Sequence, residues 1–338
     1  MGVGIGDILK SKEISFEDLE DKVIAVDAYN IIYQFLSSIR QKDGTPLKDS
    51  EGRVTSHLSG ILYRNANLIE AGIQLVYVFD GKADIMKEGT LEKREERKKE
   101  AEKEYEKSLE EGDLERARVK AQQTSRMTDE IEESSKRLLS LLAIPWIQAP
   151  SEGESQAAHL VENGDAWAVG SQDYDTLLFG ASRLVKNLTV TGKRKMPGSS
   201  KYKKISPEMM DLDEILADLE ITREQLVDIG ILCGTDYNDG VKGIGPKRGL
   251  KYIRKHGDLE AVLEEKEKEV NNHRSIRDIF LDPEVTDDYS IEFKNELGDV
   301  KGFLCDERDF SEDRVESALQ QYEKGLEKRK QTSLTSFG

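Results

Sequence analysis

Val23-Ile24-Ala25-Val26-Asp27 is a short apolar, β-rich run closed by a carboxylate, and the pattern recurs twice along the chain. Leu75-Val76-Tyr77-Val78-Phe79 is followed by Asp80, and Ala166-Trp167-Ala168-Val169 runs out through Gly170-Ser171-Gln172 into Asp173-Tyr174-Asp175. Runs this short and this apolar read as strands buried on both faces. Helical periodicity lies between them, at Ser56 to Ala71 and Asp129 to Leu142. Strand–helix alternation predicts an α/β fold, a mostly parallel central sheet flanked by helices.

The 338 residues allow one large domain or two intimate ones. Charged residues make up 35% and hydrophobic residues 37%, so part of the chain is strongly solvated. No run approaches the ~18 apolar residues of a membrane-spanning helix. Met1-Gly2-Val3-Gly4-Ile5-Gly6-Asp7 lacks a signal peptide's basic start and apolar stretch, and Gly6 stands where a myristoylation signal needs Ser or Thr. A soluble intracellular protein is expected, with Cys233 and Cys305 as reduced thiols. The net charge of −17 taken alone argues against a nucleic-acid partner. Its distribution argues otherwise: Lys193 to Lys204 and Lys242 to His256 are rich in Lys and Arg and contain no acid.

In open α/β sheets, sites form beyond the carboxyl ends of the strands, where these three runs deliver Asp27, Asp80, Asp173 and Asp175. One such Asp is usually a turn residue or helix cap; three strand ends are hard to assign to caps alone. Glu152 and Glu154 follow in Pro150-Ser151-Glu152-Gly153-Glu154. Ser151 and Glu154 have the spacing of a capping box, which accounts for Glu154 but not Glu152. Asp236, in Cys233-Gly234-Thr235-Asp236-Tyr237, has the bland reading of a turn aspartate. Clustered carboxylates repel one another and stay ionised when hard cations neutralise them. All-oxygen ligands suit Mg²⁺ or Mn²⁺, and this many fit two ions ~4 Å apart, the arrangement used for phosphodiester hydrolysis.

Residues Lys82 to Asp129 are dominated by Lys, Arg, Glu and Asp and cannot bury a face, so they project from the body. Helical pattern resumes from Leu212 to about Lys268, residues 281–312 look irregular, and a last helix runs from about Glu312 to Lys330. Gly243-Ile244-Gly245-Pro246-Lys247-Arg248 is a Gly-rich turn at a helix start followed by Lys251, Arg254 and Lys255. Such an element binds a phosphate backbone without reading bases.

Ala25-Val26-Asp27-Ala28, Val78-Phe79-Asp80-Gly81-Lys82, Glu152-Gly153-Glu154, Asp173-Tyr174-Asp175 and Gly234-Thr235-Asp236-Tyr237, in this order and spacing, resemble the archaeal flap endonucleases nearly end to end. The resemblance implies a structure-specific 5′ flap endonuclease with an accompanying 5′–3′ exonuclease activity. It would work by two-metal-ion hydrolysis in replication, at Okazaki fragments, and in repair. It implies that Asp27, Asp80, Glu152 and Glu154 gather around one Mg²⁺ (or Mn²⁺) and that Asp173, Asp175 and Asp236 serve the second. Lys87 and Arg94 match the basic residues at the base of the family's helical arch and would act on the scissile phosphate. Tyr33 matches the residue that stacks on the base beside the cut. Gly2 would lie near bound DNA. The resemblance makes Lys82 to Asp129 the arch under which a 5′ flap passes; Glu100, Glu102, Glu104, Glu106, Glu110, Glu111, Asp113 and Glu115 make its top acidic and confine DNA contacts to its base. Gly243, Gly245, Lys247, Arg248 and Lys251 match the duplex-binding helix–two-turn–helix element. Gly240, Val241 and Ile244 match carbonyl positions that hold a monovalent ion such as K⁺.

The tail Gln331-Thr332-Ser333-Leu334-Thr335-Ser336-Phe337-Gly338 resembles the family's sliding-clamp peptide through Gln331, Leu334 and Phe337, but Gly338 stands where a second aromatic is usual. The division implied is 1–98, an N-terminal nuclease half; 99–115, the outer arch; 116–258, an internal nuclease half with the helix–two-turn–helix; 259–330, a C-terminal helical region; and 331–338, the clamp-binding tail. Branched DNA with a 5′ flap and the clamp are the expected partners, with no membrane; the protein is expected to be a monomer, cytoplasmic in an archaeal cell and nucleoid-associated. A sibling nuclease preferring gaps or bubbles, or a non-catalytic branched-DNA binder that docks on the clamp, are the alternatives. A binder has no need of all these carboxylates.

Overall fold

In a computed structural model, every residue is described except 1, 83–87, 111–112, 114–118, 122–123, 191–192, 196–201 and 336–338. The chain begins with a 3₁₀ turn at Gly6–Ile8, then β1 (Lys12–Glu13), β2 (Val23–Asp27), α1 (Ala28–Ser38), α2 (Ser56–Glu70) and β3 (Gln74–Phe79). The charged α3 (Glu88–Glu110) follows, then α4 (Asp129–Leu141), β4 (Trp146–Gln148), α5 (Gly153–Glu162), β5 (Ala168–Gly170), α6 (Asp175–Leu178) and β6 (Arg183–Lys186). A hairpin, β7 (Lys193–Lys195) and β8 (Tyr202–Lys204), precedes β9 (Glu208–Asp211). Helices complete the chain: α7 (Leu212–Leu219), α8 (Arg223–Cys233), α9 (Pro246–His256), α10 (Leu259–Lys266), α11 (His273–Leu281) and α12 (Glu312–Thr335).

The sheet has the order β1-β9-β6-β5-β2-β3-β4. From β6 to β4 every pairing is parallel; β9 runs antiparallel to β6, and β1 antiparallel to β9. Side chains alternate across it. Ala25, Val76, Val78 and Val169 face a core shared with α5, α8 and α9, whereas Ile24, Val26, Leu75, Tyr77 and Phe79 face one shared with α1, α2, α4 and α12. Both faces are dry, which is why β2 and β3 are apolar between their first and last residues except for the Tyr77 hydroxyl; each large side chain so buried contributes ~1.5–3 kcal/mol. Tyr77 keeps its hydroxyl paired with Asn65 at 2.9 Å, and Tyr322 of α12 donates to the carbonyls of Ile61 and Leu62 in α2.

Strands from both sides of α3 enter this one sheet, so residues 1–98 and 116–258 share a core. The expected strand at Ala166 begins later: Ala166 donates instead to the Leu160 carbonyl, Trp167 donates to the Val23 carbonyl, and the paired ladder starts at Ala168. The last helix does not stop at Lys330; its backbone continues through Gln331 to Thr335. Residues 302–306 form a π-helical turn within the stretch read as irregular. No helix among the described residues is long and apolar enough to cross a membrane.

The charged segment is tied to the body and to itself. Arg126 pairs with Glu95 and Glu102 of α3, at 2.9 and 3.1 Å, and Lys120 pairs with Glu104. Ala101 and Ala121 are buried within it.

Candidate metal centre and nucleic-acid interface

β2 lies between β3 and β5, so Asp27 leaves the sheet between the strands that lead to Asp80 and Asp173. Asp27 is also the N-cap of α1, accepting the Asn30 N–H at 3.0 Å, and its other oxygen accepts from the Ser171 hydroxyl at 3.1 Å. Its cap role and its place in the carboxylate group are therefore one geometry. Burial, with Asp80 and Asp173 close by, pushes the Asp27 carboxyl up to about 8.

Asp80 accepts the Gly153 N–H at 2.8 Å. A Cβ on Gly153 would stand 2.7 Å from that Asp80 oxygen, so the glycine in Glu152-Gly153-Glu154 is what lets β3's carboxylate reach the start of α5. The capping box expected from Ser151 and Glu154 is absent: α5 begins at Gly153, its N-cap is Glu152, and no side chain caps it. Asp80 supplies the acceptor instead, which leaves the two glutamates flanking its approach; Glu152 is buried.

Asp173 is held on both oxygens, by the Gly2 N–H at 3.0 Å and the Asn30 side-chain amide at 2.9 Å. The buried Asp175 accepts the Val3 N–H at 2.5 Å. Asn30 also accepts the Gln172 N–H at 3.1 Å, so it ties α1 to the β5 loop. Ser171 and Asn30 were not anticipated from sequence. The signal was slight: a polar residue three beyond Asp27, and a Ser two before Asp173.

Asp236 sits in a tight turn directly after α8, closed by Thr235 and Asn238. Gly230 of α8 lies against Leu178 and Val3, bringing that helix beside α6. Among the described residues no three Asp, Glu, His or Cys side chains converge on a common point. Asp80, Asp173 and Asp175 each accept a backbone N–H. The donor set is all carboxylate oxygen, and burial first, then the neighbouring Asp80 and Asp173, pushes the Asp27 carboxyl up, a cost that a hard divalent cation would relieve. The residues therefore fit Mg²⁺ or Mn²⁺ rather than zinc.

Tyr33, matched to the residue that stacks on the base beside the cut, lies against the charged segment: its hydroxyl accepts the Met127 N–H at 3.3 Å, and the Lys98 ammonium lies 5.4 Å from its ring centre. Lys87 and the side chain of Arg94 lie outside the described residues, as do Phe337 and the side chain of Leu334. Gln331 is exposed on α12.

The second element is built by amphipathicity. Gly249 and Ile253 bury one face of α9 against α8, where a Cβ on Gly249 would meet Ile229 at 3.3 Å. The opposite face exposes Lys247, Arg248, Lys251, Arg254 and Lys255. The preceding turn uses left-handed backbone at Gly240 (φ 73°) and Gly243 (φ 87°), and Gly245 caps α9 with Pro246 at its first position. The Gly243 carbonyl accepts from Arg248 at 2.7 Å, and the Val241 carbonyl from the Ile244 N–H at 2.9 Å.

The chain is similar along its length to known proteins. Residues 1–101 match the XPG N-terminal domain and residues 143–236 the XPG I-region. Flap endonuclease 1 of Methanosarcina acetivorans is 51% identical, covering 98% of each chain. The same enzyme of Pyrococcus abyssi is 52% identical over 100% of this chain and 98% of its own. Among solved structures, flap endonuclease-1 from Methanococcus jannaschii superposes with TM-score 0.77 at 42% identity, covering 97% of this chain and all of its own. The catalytic core of Rad2 in complex with DNA substrate superposes with TM-score 0.70 at 25% identity, covering 95% and 100%.

Proposed function

The chain belongs to the flap endonuclease 1 family and is a nuclease that hydrolyses DNA, and from that premise we propose how its own residues carry out the cut at the base of a 5′ flap. The observation that carries the reading is that three adjacent parallel strands, β3, β2 and β5, lead to Asp80, Asp27 and Asp173 at one edge of the sheet. Asp27, Asp80, Glu152 and Glu154 hold one divalent cation, and Asp173, Asp175 and Asp236 the other. Bound there, the pair supplies Lewis-acid stabilisation of the scissile phosphate and eases deprotonation of the attacking water.

The rest is the work of the chain. Asn30, Ser171 and the amides of Gly2 and Val3 fix the orientation of Asp27, Asp173 and Asp175. Lys87 and Arg94 neutralise charge developing on the phosphate. Tyr33, at the foot of the charged segment, stacks on the base beside the cut. Lys247, Arg248 and Lys251, with the amides of Gly243 and Gly245, grip the duplex backbone, and the carbonyls of Gly240, Val241 and Ile244 hold a monovalent cation such as K⁺. Branched DNA with a 5′ flap is the substrate, and the sliding clamp is the partner of Gln331, Leu334 and Phe337. The protein works as a monomer in the cytoplasm, associated with the nucleoid.

Asp80→Ala and Asp173→Ala test this directly. Each should reduce Mg²⁺-dependent flap cleavage by at least ~10³-fold while changing flap affinity little, because the duplex grip lies on α9. Wild-type turnover by either variant would show the site to be misassigned.

A further inference from the structure

The segment from Gly2 to Leu9 touches both working parts of the molecule. At one end Gly2 and Val3 donate to Asp173 and Asp175. A Cβ on Gly2 would stand 2.8 Å from an Asp175 oxygen and 2.9 Å from Asp173, so the backbone itself is pressed against these acids. At the other end the Gly6–Ile8 turn packs on α9, and Asp7 lines one shallow depression with Gly243, Gly245, Lys247 and Arg248.

Between the ends the segment is stiff. Ile5 is fully buried and Val3 nearly so, both in the core that contains α8 and α9. The turns close on themselves through Ile5 N–H to Val3 and Ile8 N–H to Ile5. Gly6 presses on the Tyr174 ring, where a Cβ would meet the hydroxyl at 2.7 Å; Tyr174 is the residue between the two aspartates. A rigid segment anchored at two sites transmits displacement of one to the other.

Resting on the functional reading above, we propose that Gly2–Leu9 is a positioning strut that couples the duplex-gripping helix α9 to Asp173 and Asp175. Duplex seated at α9 fixes the Gly6–Ile8 turn, the turn fixes Tyr174 and the Gly2 and Val3 amides, and these set the two carboxylates for a divalent cation. Coupling of this kind is reciprocal: duplex must tighten the cation by the same factor as the cation tightens duplex.

The test uses the full chain, Mn²⁺ as the probe and a duplex without a flap. Duplex affinity is measured by anisotropy in EDTA and in saturating Mn²⁺, and Mn²⁺ affinity by electron paramagnetic resonance with and without duplex. In wild type, each ligand should tighten the other by about 5–20-fold. Gly6→Ala should bring that factor below about 2-fold while duplex affinity in EDTA stays within about 2-fold of wild type. Ile8→Ala, which trims the packing of the turn on the core that contains α9, should do the same, and covers the case in which Gly6→Ala fails to fold. Gly4→Ala, where a Cβ meets open space, should keep the wild-type factor. A full wild-type factor in Gly6→Ala or Ile8→Ala overturns the strut. Failure of the underlying metal reading looks different: Asp173→Asn would then bind Mn²⁺ as wild type does.

Discussion

Asp27→Asn should stabilise the cation-free protein while destroying its activity. The folded-state carboxyl lies at about 8 against an ordinary value of 3.8. At ~1.4 kcal/mol per tenfold change, that difference sets a ceiling of about 6 kcal/mol on the cost of ionising Asp27 in the fold. The stabilisation expected of Asp27→Asn is therefore positive and no larger than about 6 kcal/mol. The sign follows from proton linkage. A raised folded-state value means the fold holds a proton that the unfolded chain has released between pH ~4 and ~8; wild type is thus most favoured by this group below pH ~4 and progressively penalised up to pH ~8. Asparagine keeps the oxygen that caps Asn30, at little cost in capping, and never carries the charge. Urea midpoints in EDTA at pH 5, 6.5 and 8.5 read the effect. The variant's advantage should be small at pH 5 and full at pH 8.5, and Mg²⁺ should shrink it by stabilising wild type alone. A variant less stable than wild type at pH 8.5 in EDTA, or an advantage that ignores pH, would refute the reasoning.

Lys87→Ala and Arg94→Ala should each slow single-turnover cleavage about 10²-fold or more with little loss of binding, as for loss of a transition-state donor. Lys247→Ala with Arg248→Ala should do the reverse, weakening binding and reducing the slope of its salt dependence by about 2; similar effects on rate and affinity from both pairs would contradict the division. Deleting residues 331–338 should leave flap cleavage unchanged without clamp and remove stimulation by the organism's own clamp; undiminished stimulation would sink the tail assignment. His57 is buried against Ser134 at 2.8 Å, and burial with Arg308 nearby holds its imidazole down to about 3, so stability is full above pH ~6.5 and falls as pH drops toward 3. His57→Gln should flatten the fall in urea midpoint between pH 7 and 4.5, by up to about 3 kcal/mol, and an unchanged slope would show that the site admits the charged ring.

The central strands were legible because burial on both faces leaves an uninterrupted apolar run, as in β2 and β3. The flanking strands were not. β1 is two exposed residues, Lys12 and Glu13, and β4, β6 and β9 are too short and too mixed to mark a period. The sheet's antiparallel edge, β9 and β1, therefore had no trace in the sequence pattern. At the site, acids at strand ends were readable because strand ends are where such sites form, whereas Asn30 and Ser171 act through hydrogen bonds that only the folded loop creates. Ser151 was misread as a cap because its spacing to Glu154 is right; the helix starts at Gly153, where Asp80 needs the absence of a side chain. The tail beyond Lys330 looked separate by composition, but no breaker interrupts it before Gly338, and the backbone of α12 continues to Thr335.

Cleavage of a labelled panel, comprising 5′ flap, 3′ flap, nick, gap and bubble with and without Mg²⁺, decides whether the protein is a metal-dependent 5′ flap endonuclease. The account predicts rapid Mg²⁺-dependent cutting at the base of the 5′ flap, leaving a 5′-phosphate and a 3′-hydroxyl, and far slower cutting of every other substrate. Equal or faster cutting of the gap or bubble, or cleavage that survives complete removal of divalent metal, would contradict it.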